Sequence, residues 1–206
     1  MQQGFPRTEV LVIGAGLSGA ITSQRLARAG IEVTCLEQGV WNPLESYPGD
    51  KPDFELQALG PWNANPNIRQ GKADYPILDD TSDIKPLLFN GVGGSTVMFS
   101  AHWMRFLPSD FFTYSLDGVG TDWPIDYQDL EPYYLQTEAD IGVSGVAGDP
   151  AYPDRPDYPM PPLPIQPWGE KVAAAHDRLG WHWWPGSNAI TSRPYQGRRP
   201  CVQRST

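Results

Sequence analysis

At 206 residues the chain is long enough for one or two domains with a sizeable core, and its composition is that of an ordinary globular protein. Its 15 Lys and Arg against 24 Asp and Glu leave a formal net charge of -9, which disfavours nucleic acid and anionic membrane surfaces as partners and points to a small molecule. No run approaches the ~18 apolar residues of a membrane span, Met1 to Thr8 lacks the basic start and apolar stretch of a secretory leader, and 2 cysteines cannot build a disulfide framework.

The chain opens as strand, tight turn, helix, strand. Glu9 to Ile13 reads as a first strand. From Leu17 to Ala29 the residues Leu17, Ala20, Ile21, Leu26 and Ala29 fall near one face of a helix, and Gly30 supplies its stop. The run "IEVTCLEQG" returns as a second strand, so the expectation is a βαβ unit whose short crossover makes the strands parallel and buried, with Cys35 an inert buried thiol. From Trp41 to Lys85 the sequence is polar, with Pro, Gly and Asn throughout and no sustained period, and reads as a long excursion. A second glycine cluster follows in "LLFNGVGGSTVMFSAHWMRFLPSDF". In "DWPIDYQDLEPYYLQTEADIGVSG" Asp126 is a candidate N-cap, Glu131 and Pro132 suit a first turn, and Gly142 suits the end. Prolines crowd Asp149 to Trp168, where missing N–H groups forbid a helix or central strand, and an extended polyproline-type segment crossing the surface is expected. A helix from Pro167 to Leu179 ended by Gly180 comes next, then "GWHWWPG", read as a strand packing on the core in preference to a sugar-stacking aromatic cluster.

Gly14, Gly16 and Gly19 fit G-x-G-x-x-G after a strand and at the start of a helix. Gly14 serves the tight turn, Gly16 lets backbone approach a pyrophosphate, and Gly19 lets the helix pack closely on the strand. The helix start then offers unpaired N–H groups and a positive dipole end to the phosphates. Glu37 lies 23 residues after Gly14, a spacing that lets its carboxylate accept hydrogen bonds from an adenosine ribose and repel a 2′-phosphate. NAD and FAD share this half-site. The second cluster, Gly91, Gly93 and Gly94 with Ser95 and Thr96, reads either as a concavity of backbone donors for a pyrophosphate or flavin edge, or as an ordinary turn between core strands.

On "VLVIGAGLSGA" with Glu37, and on the two longer blocks just quoted, the sequence resembles the glucose-methanol-choline (GMC) oxidoreductases, which are FAD enzymes. Among them it is most similar to the branch of gluconate 2-dehydrogenase large subunits and bacterial sugar or polyol dehydrogenases. The resemblance implies an incomplete α/β fold: a Rossmann-like FAD-binding domain over residues 1–145, then a Pro-rich crossover and the start of a substrate domain over residues 146–206. It puts Gly14, Gly16, Leu17, Ser18, Gly19 and Glu37 on the ADP half of FAD, and Gly93, Gly94, Ser95, Thr96 and Met98 on the flavin side. Pyranose oxidases carry, at the position of Met98, a histidine bonded to the flavin; methionine cannot form that bond, so FAD is expected to be held non-covalently.

The implied reaction is oxidation of a CH–OH group of a sugar, sugar acid or polyol by hydride transfer to flavin N5, with a non-oxygen acceptor. A small subunit and a cytochrome c subunit are implied as partners of the full-length parent, with no nucleic acid and no direct membrane insertion. The family's proton-abstracting His-His or His-Asn pair lies later in a longer chain. His102, His176 and His182 match neither position, so no catalytic residue is assigned, and His102 is expected to pack or hydrogen-bond. Cys201 resembles the start of a loop that holds an iron-sulfur cluster in some relatives, but one thiolate cannot hold a cluster and no metal site is assigned. The chain is therefore expected to be cut through that loop, to expose apolar faces and to be weakly stable. An NAD-dependent dehydrogenase and a flavin-binding protein without catalysis are the competing readings. The first would require a continuous series of short βα units after Glu37.

Overall fold

The computed structural model describes residues 7–49 and 51–201. The chain packs as two compact units, one ending at Ser100 and the other starting at Ala101.

In the first unit, β-branched Val10, Val12 and Ile13 build β1 (Val10–Ile13), and Val33 and Thr34 open β2 (Val33–Leu36). The strands are parallel, in register from Val10↔Val33 to Ile13↔Leu36, and α1 (Leu17–Arg28) is the crossover. This is the expected βαβ unit. Ala29 caps α1 and Gly30 turns left-handed at φ +80°, while Arg25 and Arg28 in the last turn complement the negative end of the helix dipole.

Burial of the strands is not as expected. Helix α1 covers the face carrying Val10 and Val12, which are half-buried, but Leu11, Ile13 and Leu36 stand 52%, 84% and 54% exposed. A two-stranded sheet has an edge on both sides, and a single helix layers one face only. Cys35 is exposed rather than buried for the same reason: β2 is an outer strand, and the Cys35 Sγ reaches back only to the Gly14 carbonyl at 3.7 Å.

Between Trp41 and Lys85 the chain forms a 3₁₀ turn at Leu44–Ser46, then α2 (Phe54–Leu59) and α3 (Pro66–Arg69). Helices of 6 and 4 residues are too short to write a 3.6-residue period into the sequence. Helix α3 is started by Asn65, whose side chain accepts from the Asn67 N–H at 2.9 Å, with Pro66 in its first turn.

The second unit holds a 3₁₀ turn at Pro108–Phe111, then α4 (Thr113–Asp117), α5 (Tyr127–Ile141) and α6 (Pro167–Leu179). Asp126 caps α5 as expected: it accepts from the Asp129 N–H at 3.0 Å while Asp129 accepts from the Asp126 N–H at 3.0 Å. Gly142 ends α5 at φ +77°. Pro132 lies in the second turn rather than the first, where its missing N–H removes the intrahelical bond to the Gln128 carbonyl. The core gathers Phe111, Tyr127, Val143 and Met160, each 3% exposed or less.

At the centre of this unit Glu138, 1% exposed, receives two guanidinium groups. Arg105 Nε and Nη2 donate at 2.8 and 2.9 Å, and Arg155 Nη1 and Nη2 at 3.0 and 2.6 Å. The Pro-rich segment is free of helix and strand from Asp149 to Gln166, as expected, but it does not merely cross the surface. It sends Met160 and Arg155 into the core, and the Tyr152 hydroxyl donates to the Arg105 carbonyl at 2.9 Å.

The aromatic run after Gly180 forms no strand, and Trp181 is 62% exposed, against the expectation of a strand packed on the core. Side-chain tethers replace a ladder here: the Trp183 indole donates to Asp177 at 2.7 Å, the Trp184 indole donates to the Val146 carbonyl at 2.9 Å, and Pro185 has no N–H to offer. Among the described residues no helix is long and apolar enough to cross a membrane.

Candidate functional site

The first glycine turn sits where β1 ends. The Gly14 N–H donates to the Leu36 carbonyl at 2.7 Å, and Gly14 turns the chain at φ +97° into Gly16, the extended N-cap of α1. The first intrahelical bond is Ala20 N–H to the Gly16 carbonyl at 2.9 Å. Helix α1 has no side-chain cap and no acid in its first turn, so the N–H groups of Leu17, Ser18 and Gly19 at its start have no partner within the helix or from a cap. Gly19 is required by contact: a Cβ there would lie 1.9 Å from the Gly14 carbonyl oxygen.

Glu37 closes the turn from the side. One carboxylate oxygen accepts from the Gly39 N–H at 2.7 Å and the other from the Ala15 N–H at 2.6 Å. These bonds, Gly39 first and Ala15 second, hold its pKa below the usual carboxylate range, so the group is an anion at neutral pH beside the turn.

The second glycine cluster comes to the same place. The Gly93 N–H donates to the Ala15 carbonyl at 2.9 Å, and Gly16 and Gly93 form a parallel β-bridge. Gly91 bridges Val40, just beyond β2, and the Val92 N–H donates to the Val40 carbonyl at 3.1 Å. Gly93 adopts φ +101°, and a Cβ on Gly94 would come within 3.3 Å of the Gly16 Cα. The cluster is therefore a turn laid edge to edge against the first turn, not a connection between core strands. Gly94–Met98 continues as a 3₁₀ turn.

The structure thus brings Gly14, Gly16, Gly19, Glu37, Gly93 and Gly94 together, with Leu17 and Ser18 in the first turn of α1. Ser95 and Thr96 are exposed, and their hydroxyls serve their own turn: Ser95 accepts from the Phe89 N–H at 3.3 Å and Thr96 donates to the Gly93 carbonyl at 2.6 Å. Met98 is half-buried at the end of that turn. Ala15 and Gly39 were missed by sequence reasoning. Ala15 acts only through its backbone, which residue type does not reveal; Gly39, two residues after Glu37, was the available signal.

The histidines lie in the second unit. His102 is exposed, its backbone bridging Asn188; His176 Nδ1 is 3.0 Å from the Val172 carbonyl; His182 Nε2 is 3.0 Å from Asp149. Cys201 is exposed, and its N–H donates to the Thr191 carbonyl at 2.8 Å.

A strand-turn-helix with an acid after the second strand defines a dinucleotide site, and residues 7–45, which contain it, match the family described as FAD binding domain. The cofactor is FAD. The residues fit that cofactor: the first turn is open, with nothing within 4 Å of a Cβ on Gly14, and the helix start beside it is uncapped.

The chain is similar to the 2-methyl-1,2-propanediol dehydrogenase of Mycolicibacterium austroafricanum, at 44% identity over 96% of this chain and 36% of that protein. It is similar to the fructose dehydrogenase large subunit of Gluconobacter japonicus, at 32% identity over 94% of this chain and 38% of that one. It also resembles the 6'''-hydroxyparomomycin C oxidase of Streptomyces lividus, at 30% identity over 96% of this chain and 34% of that protein. The fold matches that of a formate oxidase from Aspergillus oryzae, with a TM-score of 0.51 at 18% identity over 94% of this chain and 35% of that one. These relatives bear out the resemblance to the N-terminal region of GMC oxidoreductases, and the chain spans a little over a third of the length of the curated relatives it matches.

Proposed function

We propose that this chain is the FAD-binding N-terminal portion of a dehydrogenase acting on the CH–OH group of a sugar, sugar acid or polyol. The observation that carries the reading is the edge-to-edge pairing of two glycine turns beside an ionised Glu37. In it Leu17, Ser18 and Gly19 give their N–H groups to the pyrophosphate, Glu37 takes the adenosine ribose, and the backbone of Gly93 and Gly94 faces the flavin side. Ser95 and Thr96 stiffen that second turn. Met98 carries no nucleophile able to bond the flavin ring, so the cofactor is held without a covalent link. Bound FAD would supply the hydride acceptor; the protein supplies position and charge.

Residues 1–145 are assigned to the cofactor domain and residues 146–206 to the start of the substrate domain. The two relatives above that are named dehydrogenases support an acceptor other than oxygen, and the one named a large subunit supports partner subunits in the whole protein. The absence of a series of βα units after β2 among the described residues speaks against an NAD enzyme.

Titration of the purified chain with FAD, NADP and ADP, followed by flavin fluorescence and calorimetry, tests the reading. FAD and ADP should bind and NADP should not, because its 2′-phosphate meets the Glu37 carboxylate. A Glu37→Gln variant should weaken ADP about tenfold by loss of a charge-assisted bond. Tight NADP binding, or no binding of either FAD or ADP, overturns it.

A further inference from the structure

The second glycine turn is useful to a cofactor only if it is held against the first, and one buried cation grips the chain that enters it. Arg69, the last residue of α3, is 6% exposed along its side chain, as is its partner Asp74. Arg69 Nε and Nη2 donate to the two Asp74 oxygens at 2.9 and 2.5 Å, the planar fork that only arginine can present. Its other donations go to backbone: Nη1 to the Asn63 carbonyl at 2.6 Å and Nη2 to the Leu88 carbonyl at 2.8 Å. Asp74 in turn accepts from the Gly71 N–H at 2.7 Å, and the Asn90 amide lies 3.5 Å from it.

These contacts converge on residues 88–90. The Arg69 guanidinium lies 5.2 Å from the centre of the Phe89 ring, Trp62 stacks on Phe89 at 5.8 Å, and the Leu88 N–H donates to the Ala64 carbonyl at 3.0 Å. Immediately beyond, the Phe89 N–H meets Ser95 Oγ and the Gly93 N–H meets the Ala15 carbonyl. Hydrogen bonds therefore lead from Arg69 through the Leu88–Phe89 peptide to Ser95, and the chain itself covers the two residues from there to Gly93, where the two turns touch. A buried ion pair is weak evidence for stability, since apolar residues of similar volume often do as well. What this one provides is a fixed orientation of the chain entering the second turn.

We propose that Arg69 is a positioning residue for the flavin half of the cofactor site, fixing the Gly91–Gly94 turn against the Gly14–Gly19 turn without touching the cofactor. The inference rests on the FAD reading of the site. It separates the two halves of that site: the ADP half, made by Gly14, Gly16, Gly19 and Glu37, belongs to the βαβ unit and does not depend on Arg69.

The test compares dissociation constants of FAD and of ADP for the purified chain and for Arg69→Lys, Arg69→Ala and Asp74→Asn. Arg69→Lys keeps the cation but loses the fork, and remains informative if Arg69→Ala does not fold. Each folded variant should bind FAD about tenfold more weakly or worse, with ADP affinity kept within about twofold. Equal loss of both ligands would mean a merely structural pair, and unchanged FAD affinity would mean the second turn stands without Arg69; either result overturns the proposal. If the unaltered chain binds ADP but gains nothing from the flavin half, the FAD reading survives for the first turn and the positioning role falls. Binding of neither ligand removes the reading and the inference together.

Discussion

Glu37 ties the first glycine turn to the chain just after β2 with one carboxylate, and its charge makes the tie pH-dependent. Its folded-state pKa lies below the ordinary value because the Gly39 and Ala15 N–H groups favour the anion. A depressed carboxylate stabilises the fold fully above its unfolded value, about 4.3, and loses that contribution as pH falls through the lower folded value. FAD meets the folded protein, in which Glu37 stays ionised to lower pH than an ordinary carboxylate, so its affinity should be flat from pH 8 through the ordinary carboxylate range and fall only below it, as read by flavin fluorescence. A Glu37→Gln variant should lack that fall at low pH. That an acid stands beside the glycine turn was legible from its spacing after the second strand. That the Ala15 N–H donates to it was not legible, because every non-proline residue carries that group, whereas Gly39 two residues on was a visible signal.

Helix α5 shows how far local signals reach. Asp126 and Gly142 mark its ends in the sequence and in the structure, because cap and stop are decided within one turn of chain. Helices α2 and α3 went unread because 4 to 6 residues cannot display a period, and the aromatic run after Gly180 was misread because its indole N–H groups found partners off any ladder. The partners of Glu138 were equally hidden: Arg105 lies 33 residues before it and Arg155 lies 17 after it, distances no periodicity spans. Glu138→Gln would leave two guanidinium groups buried against a neutral amide. It should cost about 3–5 kcal/mol, seen as a lower urea midpoint with little change in slope. A loss below about 1 kcal/mol would show that solvent reaches the pair.

At the scale of the molecule, the two units are unequally built. The buried apolar side chains Phe111, Tyr127, Val143 and Met160 all belong to the second, while Phe89 stands nearly by itself in the first among described residues. Hydrophobic burial is the main favourable term in folding, so the first unit should open at lower urea than the second. Hydrogen exchange followed by mass spectrometry should show β1, α1 and β2 exchanging well before α5. Saturating FAD should slow exchange most in the first unit, which holds both glycine turns, because a ligand stabilises the part that binds it. A single transition with uniform exchange would contradict this.

Cys35 lies beside the Gly14 carbonyl on an outer strand, whereas Cys201 is exposed in the other unit. The molecule thus carries an occupancy gauge and its own reference. A thiol-alkylating reagent should modify Cys35 more slowly once the pyrophosphate turn is filled, with Cys201 reacting at an unchanged rate. The ratio of the two labelled peptides then counts filled sites without any optical signal, even for colourless ligands such as ADP.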